Sequence, residues 1–181
     1  MGASISGKTL GIVGMGRIGK AMARKAHLGF EMQVLYHNRK PIVQQEADQL
    51  GAEYCEELTD LMSRSDFVAV HCPSSPVTYH MINGETLQYM QPSAFLINTS
   101  RGDVVDEKAL IKALEKGAIA GAGLDVFEQE PHVPEALLAM ENVVLLPHLG
   151  SATLETRTAM GMRVVDNLNA FFAGEEPTDI V

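Results

Sequence analysis

An α/β architecture, a mostly parallel sheet wound with helices on both faces, is what this 181-residue sequence predicts. Three observations carry the expectation. Seven short apolar, β-rich runs alternate with helical patterns, and most of the runs are apolar at consecutive positions instead of every second one. A strand covered by helices on both sides has no polar face, so it reads as a continuous apolar run. Size is the third observation: at 46% hydrophobic and 20% charged residues, the chain can bury a core without disulfide or metal staples.

The seven runs fall at 9–13, 32–37, 52–54, 67–71, 94–98, 120–126 and 143–146. Residues 17–28 place Ile18, Met22 and Ala26 at helical spacing, and 106–116 place Ala109, Leu110, Ala113 and Leu114 behind an acidic first turn. Both segments predict helices packed on the sheet. Gly29, Gly51 and Gly117 each follow a helical pattern, where a left-handed residue closes the last turn. An amphipathic helix is expected over 164–172, ahead of Gly174-Glu175-Glu176-Pro177. The methionines, among them Met22, Met32, Met160 and Met162, read as core filler. No repeat, low-complexity tract or linker interrupts the series, so residues 1–181 read as one domain.

Lys and Arg number 14 against 23 Asp and Glu, a net charge of −9 that repels phosphate backbones and anionic lipid. Nucleic acid and membrane are not expected partners. Cys55 and Cys72 form no C-x-x-C pair and no His/Cys cluster, which suits reduced thiols in the cytoplasm and offers no metal spacing. No run approaches the ~18 apolar residues of a membrane span, and the run at 10–15 is too short and glycine-rich for a signal-peptide core. Met1-Gly2-Ala3-Ser4-Ile5-Ser6 fits the loose myristoylation pattern and Asn98-Thr99-Ser100 a glycosylation sequon; both read as coincidence.

Chemistry enters at Leu10-Gly11-Ile12-Val13-Gly14-Met15-Gly16-Arg17-Ile18-Gly19, which sets Gly14-x-Gly16-x-x-Gly19 between the first strand and the first helix. That is the context of the dinucleotide-binding fingerprint of Rossmann-type, doubly wound sheets. Gly14 allows the tight turn, Gly16 lets the backbone approach a pyrophosphate, and Gly19 lets helix and strand pack without an intervening Cβ. The helix N-terminus then offers unpaired N–H groups to an anion. Methyltransferases that bind an adenosyl sulfonium use similar loops, so the glycines do not name the cofactor.

After the second run comes Tyr36-His37-Asn38-Arg39-Lys40, where an NAD-binding chain carries an acidic residue for the ribose hydroxyls. A carboxylate there would repel a 2′-phosphate. Asn38 can hydrogen-bond one and Arg39 offers a charged planar fork. NADP is therefore the favoured cofactor, with NAD the other possibility.

Three further segments follow: Ile97-Asn98-Thr99-Ser100-Arg101-Gly102, then Gly121-Ala122-Gly123-Leu124-Asp125-Val126-Phe127-Glu128-Gln129-Glu130-Pro131, then Leu146-Pro147-His148-Leu149-Gly150-Ser151. With the glycine loop they resemble the D-isomer-specific 2-hydroxyacid dehydrogenases, from about Gly7 to the C-terminus. The Asn38-Arg39 pair is most similar to the glyoxylate and hydroxypyruvate reductase branch. The resemblance implies hydride transfer between a nicotinamide cofactor and a small 2-keto or 2-hydroxy acid, and it carries over a set of Arg101, Glu130 and His148. The residue types suit that chemistry. A guanidinium meets carboxylate and carbonyl oxygens as a fork, and an imidazole titrating near neutrality donates a proton when a carboxylate supports it. Asp125 falls where the family seats the nicotinamide end. Cys72-Pro73 with Thr78 is expected to border the adenosine half, and Arg17, Ile18, Thr99, Ser100 and Gly150 complete the implied cofactor-binding set. Glu128 reads as solvated. His27, His71, His80 and His132 receive no role, because nothing near them in sequence supplies a partner.

Dehydrogenases of this family build their substrate domain mainly from a segment ahead of the glycine loop, whereas only residues 1–13 precede Gly14 here. The substrate domain is therefore expected to be absent, and the isolated chain to bind nucleotide with little turnover, since catalysis needs a closed, water-poor site. A homodimer is expected through the cofactor-domain face. Corepressors of the C-terminal-binding-protein type, which assemble with protein partners under dinucleotide control, are the alternative class. An acidic residue in place of Asn38-Arg39 would have favoured them.

Overall fold

The computed structural model describes residues 4–180; Met1, Gly2 and Ala3, with the start of the myristoylation pattern, lie outside them. The seven expected strands form one sheet: β1 (Thr9–Val13), β2 (Gln33–His37), β3 (Ala52–Tyr54), β4 (Phe67–Val70), β5 (Phe95–Asn98), β6 (Gly121–Leu124) and β7 (Val143–Leu145). Their order is β3-β2-β1-β4-β5-β6-β7, and every pairing is parallel. The sheet grows one way from β1 to β3 and the other way from β4 to β7. The reversal opens a crevice beyond the C-terminal ends of β1 and β4, where open α/β sheets bind ligands.

The helices are α1 (Arg17–Phe30), α2 (Gln44–Leu50), α3 (Leu58–Arg64), α4 (Gly84–Leu87), α5 (Glu107–Glu115), α6 (Glu135–Leu138) and α7 (Leu154–Ala173), with a 3-10 turn at Gly102–Val104. Both sheet faces are covered, as the unbroken apolar runs require. Leu10, Ile12, Val34, Tyr36 and Ala69 pack with Ala23 and Ala26 of α1. The residues between them, Val13, Leu35, Val68 and Val70, point the other way into a core with Leu61 and Met62 of α3 and Leu110 and Leu114 of α5. Gly11 faces that second core. A Cβ there would overlap Ser65 Oγ and the Leu61 side chain, so α3 lies directly on the β1 backbone.

Helix ends follow local chemistry with one correction. Asp106 caps α5 by accepting the Ala109 N–H at 3.0 Å, and Gly51 and Gly117 adopt the expected left-handed conformation, with φ of 57° and 62°. Gly29 does not. Helix α1 continues through it, and Glu31 takes the left-handed turn instead, with φ of 54°. Two more helical residues bring Met32 to the sheet, where its N–H donates to Ala26 O and its side chain is buried. Burial of Met32 thus outweighs the glycine preference.

The chain divides into two compact units at the Pro147–His148 junction. No shift in composition marks that point, so the division lies in packing alone. The second unit consists of a short turn, α7 and the tail. Thr153 caps α7, and Asp179 ties the tail back through Arg163 and Asn167. No residue of α7 is buried. Met160 and Met162, read above as core filler, are exposed. Val164, Leu168 and Phe172, four residues apart, share one side of α7, and all three are exposed. Among the described residues no helix is long and apolar enough to cross a membrane.

Candidate functional site

At the switch point a cleft of about 370 Å³ is lined by Val13, Gly14, Gly16, His37, Asn38 and Arg39 on one side, and by His71, Cys72, Pro73, Ser75, Val77, Thr78 and Met81 on the other. The three loop glycines do three different jobs. Gly14 has φ of +101°, and a Cβ on it would stand 2.6 Å from the Cys72 backbone nitrogen, so the turn and the end of β4 touch. Gly19 admits no Cβ because it would overlap Gly14 O, which locks α1 onto the loop. Gly16 is the opposite case: a Cβ there meets nothing within 4 Å. The fold itself does not need a glycine at Gly16; the open space in front of it suits a ligand.

Helix α1 opens behind Gly16 with no side-chain cap and no acidic residue in its first turn, so the N–H groups of Arg17, Ile18 and Gly19 are left for an anion. Arg39 joins no ion pair among the described residues. Asn38, Arg39 and Lys40 line a further hollow of about 370 Å³ that shares Asn38 and Arg39 with the cleft. An uncapped helix start, an unfilled approach at Gly16 and a cation at the end of β2 that forms no ion pair among the described residues together fit a dinucleotide.

The opposite wall is stiffened from within. Thr78 Oγ1–H donates to Pro73 O at 2.7 Å, and the Thr78 N–H donates to Ser75 Oγ at 3.2 Å. Burial pushes the Cys72 thiol up to about 11 and the Cys55 thiol up to about 12, so neither is a thiolate near neutrality. Burial also lowers the pKa of His71, whose Nε2 finds no hydrogen-bond partner. A neutral ring in the wall follows.

Thr99, Ser100, Arg101, Asp125 and Glu130 gather beyond β5 and β6, which are neighbours in the sheet. Their organiser is Asn98, the last residue of β5, 1% exposed. Its Oδ1 accepts from the Ser100 N–H and Oγ–H, each at 3.1 Å, and its Nδ2 donates to Arg101 O at 2.9 Å. Asn98 therefore shapes the turn that presents Arg101, which is exposed. The same burial removes the sequon from reach in the fold. Sequence reasoning passed over Asn98 as an organiser; the available signal was a polar residue closing an apolar run at a strand end. Asp125, 4% exposed, donates its N–H to Asn98 O at 3.0 Å. Glu130 is exposed and its Oε1 accepts the Phe127 N–H at 3.1 Å.

Two sequence readings need correction here. Glu128 is not a solvated charge, and His80 is not without a partner. His80 Nε2 lies 2.9 Å from Glu128 Oε1, which also accepts the Glu107 N–H at 2.9 Å. A carboxylate can only accept, so Nε2 carries the proton. The partners are 48 and 21 residues apart in sequence, which hides them from any local reading. Asp106 completes a group whose ligand atoms with His80 and Glu128 lie within 4.8 Å of one another. Burial and the neighbouring Glu128 charge raise the pKa of Glu107, while its hydrogen bond from the Glu128 backbone and the nearby His132 oppose them.

His148 and Gly150 belong to the second unit. His148 has φ of 53°, a left-handed conformation uncommon for a residue with a side chain.

Comparison with known proteins matches this architecture. Residues 1–150 match the model of the D-isomer specific 2-hydroxyacid dehydrogenase NAD binding domain. The glyoxylate reductase of Thermococcus litoralis is 53% identical over 183 residues, covering 100% of this chain and 54% of the relative. Glyoxylate/hydroxypyruvate reductase B of Escherichia fergusonii is 52% identical over 174 residues, covering 96% of this chain and 53% of its own length. Among solved structures, the NADPH-dependent glyoxylate/hydroxypyruvate reductase of Sinorhizobium meliloti, in complex with NADP and malonate, superposes with a TM-score of 0.90 at 45% identity, over 97% of this chain and 53% of that one. The chain thus spans about half the length of the relatives it matches. With its parallel sheet, its glycine loop and the agreement of all three comparisons, the chain belongs to the D-isomer specific 2-hydroxyacid dehydrogenase family.

Proposed function

We propose that residues 1–181 form the dinucleotide-binding domain of a cytoplasmic oxidoreductase that moves a hydride between NADPH and a small 2-keto acid such as glyoxylate or hydroxypyruvate, with NADH as the weaker alternative. The single observation that carries the cofactor reading is the cleft at the switch point, with open space before Gly16 and the unpaired Arg39 at its edge. Glyoxylate reductases among the relatives and an NADP-bound neighbour support the reaction class.

In this reading the diphosphate lies against the start of α1, and Arg39 with Asn38 receives the 2′-phosphate. Cys72, Pro73 and Thr78 border the adenosine half, with Thr99, Ser100, Asp125 and Gly150 toward the nicotinamide. The reduced cofactor supplies the hydride when bound. Arg101 holds the substrate carboxylate and His148 donates the proton to the carbonyl oxygen, with Glu130 the third member of the set, roles assigned from the family resemblance and the chemistry of the groups. A polypeptide of these 181 residues carries the cofactor side of the reaction and turns over slowly when alone. A homodimer is part of the same proposal, and light scattering checks it.

Calorimetry of the purified chain with NADPH and with NADH is the test. NADPH is expected to bind more tightly, and Arg39→Ala to weaken NADPH by about tenfold, or ~1.4 kcal/mol, while leaving NADH unchanged. No heat with either nucleotide at millimolar concentration would end the proposal; a strong NADH preference would reverse its cofactor assignment.

A further inference from the structure

Two hydrogen-bonded latches join the wall of the cleft to the segments that carry Arg101 and Glu130. In the first, Ser74 Oγ–H donates to Asp103 Oδ2 at 2.6 Å, and the His80 N–H donates to Asp103 O at 2.8 Å. A short parallel ladder continues it: Ile82 pairs with Val105, donating its N–H to Val104 O at 3.0 Å and accepting the Asp106 N–H at 2.8 Å. In the second, the His80 ring and the Glu107 N–H both donate to Glu128 Oε1, and the Glu128 N–H donates back to Glu107 Oε1 at 2.9 Å.

Glu128 is the hub of this arrangement. Gly102, which follows Arg101, is pressed so closely on the next segment that a Cβ would overlap the Phe127 carbonyl and approach the Glu128 nitrogen. Glu130 reaches back to the Phe127 N–H. Arg101 and Glu130 therefore bracket the same backbone, and whatever holds residues 127–128 sets both. The side chains of His80 and Glu128 are 29% and 23% exposed, and His80 holds φ of 48° to reach its place. A fully exposed contact would contribute little to such positioning; this hydrogen bond is partly shielded and shares its acceptor with a backbone N–H.

Resting on the cofactor reading above, we propose that His80 and Glu128 are positioning residues that couple occupancy of the cleft to the setting of Arg101 and Glu130. A nucleotide that steadies residues 72–78 steadies residues 101–104 and His80 through the first latch, and Glu128 passes that order to residues 127–130.

Amide hydrogen exchange of the 181-residue chain with and without saturating NADPH, with calorimetry on the same samples, tests the coupling. NADPH is expected to slow exchange in residues 72–81 and also, by about threefold or more, in residues 127–130. Glu128→Ala and His80→Asn should keep the heat and the protection of residues 72–81 while losing the remote protection. Asparagine tolerates the left-handed backbone but is too short to reach Glu128. Glu128→Gln, whose amide oxygen can accept both N–H groups, should restore it, which a merely structural loss would not allow. The coupling is overturned if the unmutated chain binds NADPH without remote protection, or if that protection survives both Glu128→Ala and His80→Asn; should one variant unfold, the other decides. Absence of both heat and cleft protection would instead bring down the cofactor reading, and the coupling with it.

Discussion

Two stretches of the same sheet edge are built by opposite means. Beyond β1 the chain makes its site by removing side chains: Gly14 and Gly19 bring backbone onto backbone, and Gly16 leaves open space. Beyond β5 and β6 it adds them, with Asn98, His80 and Glu128 each holding a loop through directed hydrogen bonds. The first stretch is a local motif within six residues of sequence. The second is assembled from segments dozens of residues apart. A ligand site can thus be shaped either by close approach or by bracing, and the two fail differently when altered.

The largest effect is expected at Gly14. Gly14→Ala combines a φ of +101° with an approach to the Cys72 backbone, and should destabilise the fold by roughly 3 kcal/mol or more while abolishing nucleotide binding; urea melts and calorimetry check both. Asn98→Ala comes next on the braced side. It strands Arg101 O and the Ser100 N–H in a partly buried turn and should cost about 1–2 kcal/mol in the same melts. Gly16→Ala sharpens the contrast most. Its methyl meets nothing within 4 Å, so stability should stay within about 0.5 kcal/mol while NADPH affinity falls about tenfold. A Gly16→Ala chain that binds normally would show that the open space is not used.

The smallest effect concerns pH. Burial holds the His71 ring below its ordinary 6.5, so the unfolded chain binds the extra proton first as acid is added. Stability should then fall as pH drops below about 6.5 and level off below the folded-state value. His71→Gln should flatten that part of the melting-temperature profile; an unchanged slope would place the titration elsewhere.

Strand positions, the parallel arrangement and the glycine cleft were legible because each rests on near neighbours. Val34 or Val68 must be buried whichever helix covers it, and Gly14-x-Gly16-x-x-Gly19 needs only a strand before it and a helix after it. Glu31 replaced Gly29 as the helix stop because burial of Met32, a tertiary matter, moved the turn. The exposure of Met160 and Met162 was illegible for the same reason: an apolar residue does not say whether anything covers it.

The amino-acid order alone therefore specified the sheet, the glycine loop and the residue types at each strand end, since these depend on backbone conformation and on apolar runs read over a few positions. Packing assigned the partners. Asn98 organises the Arg101 turn through near neighbours in sequence, whereas Glu128 became the hub between His80 and Glu107 because folding closes separations of 48 and 21 residues to hydrogen-bond distance. A directed hydrogen bond depends on where two groups meet in space, and that meeting is a property of the whole fold.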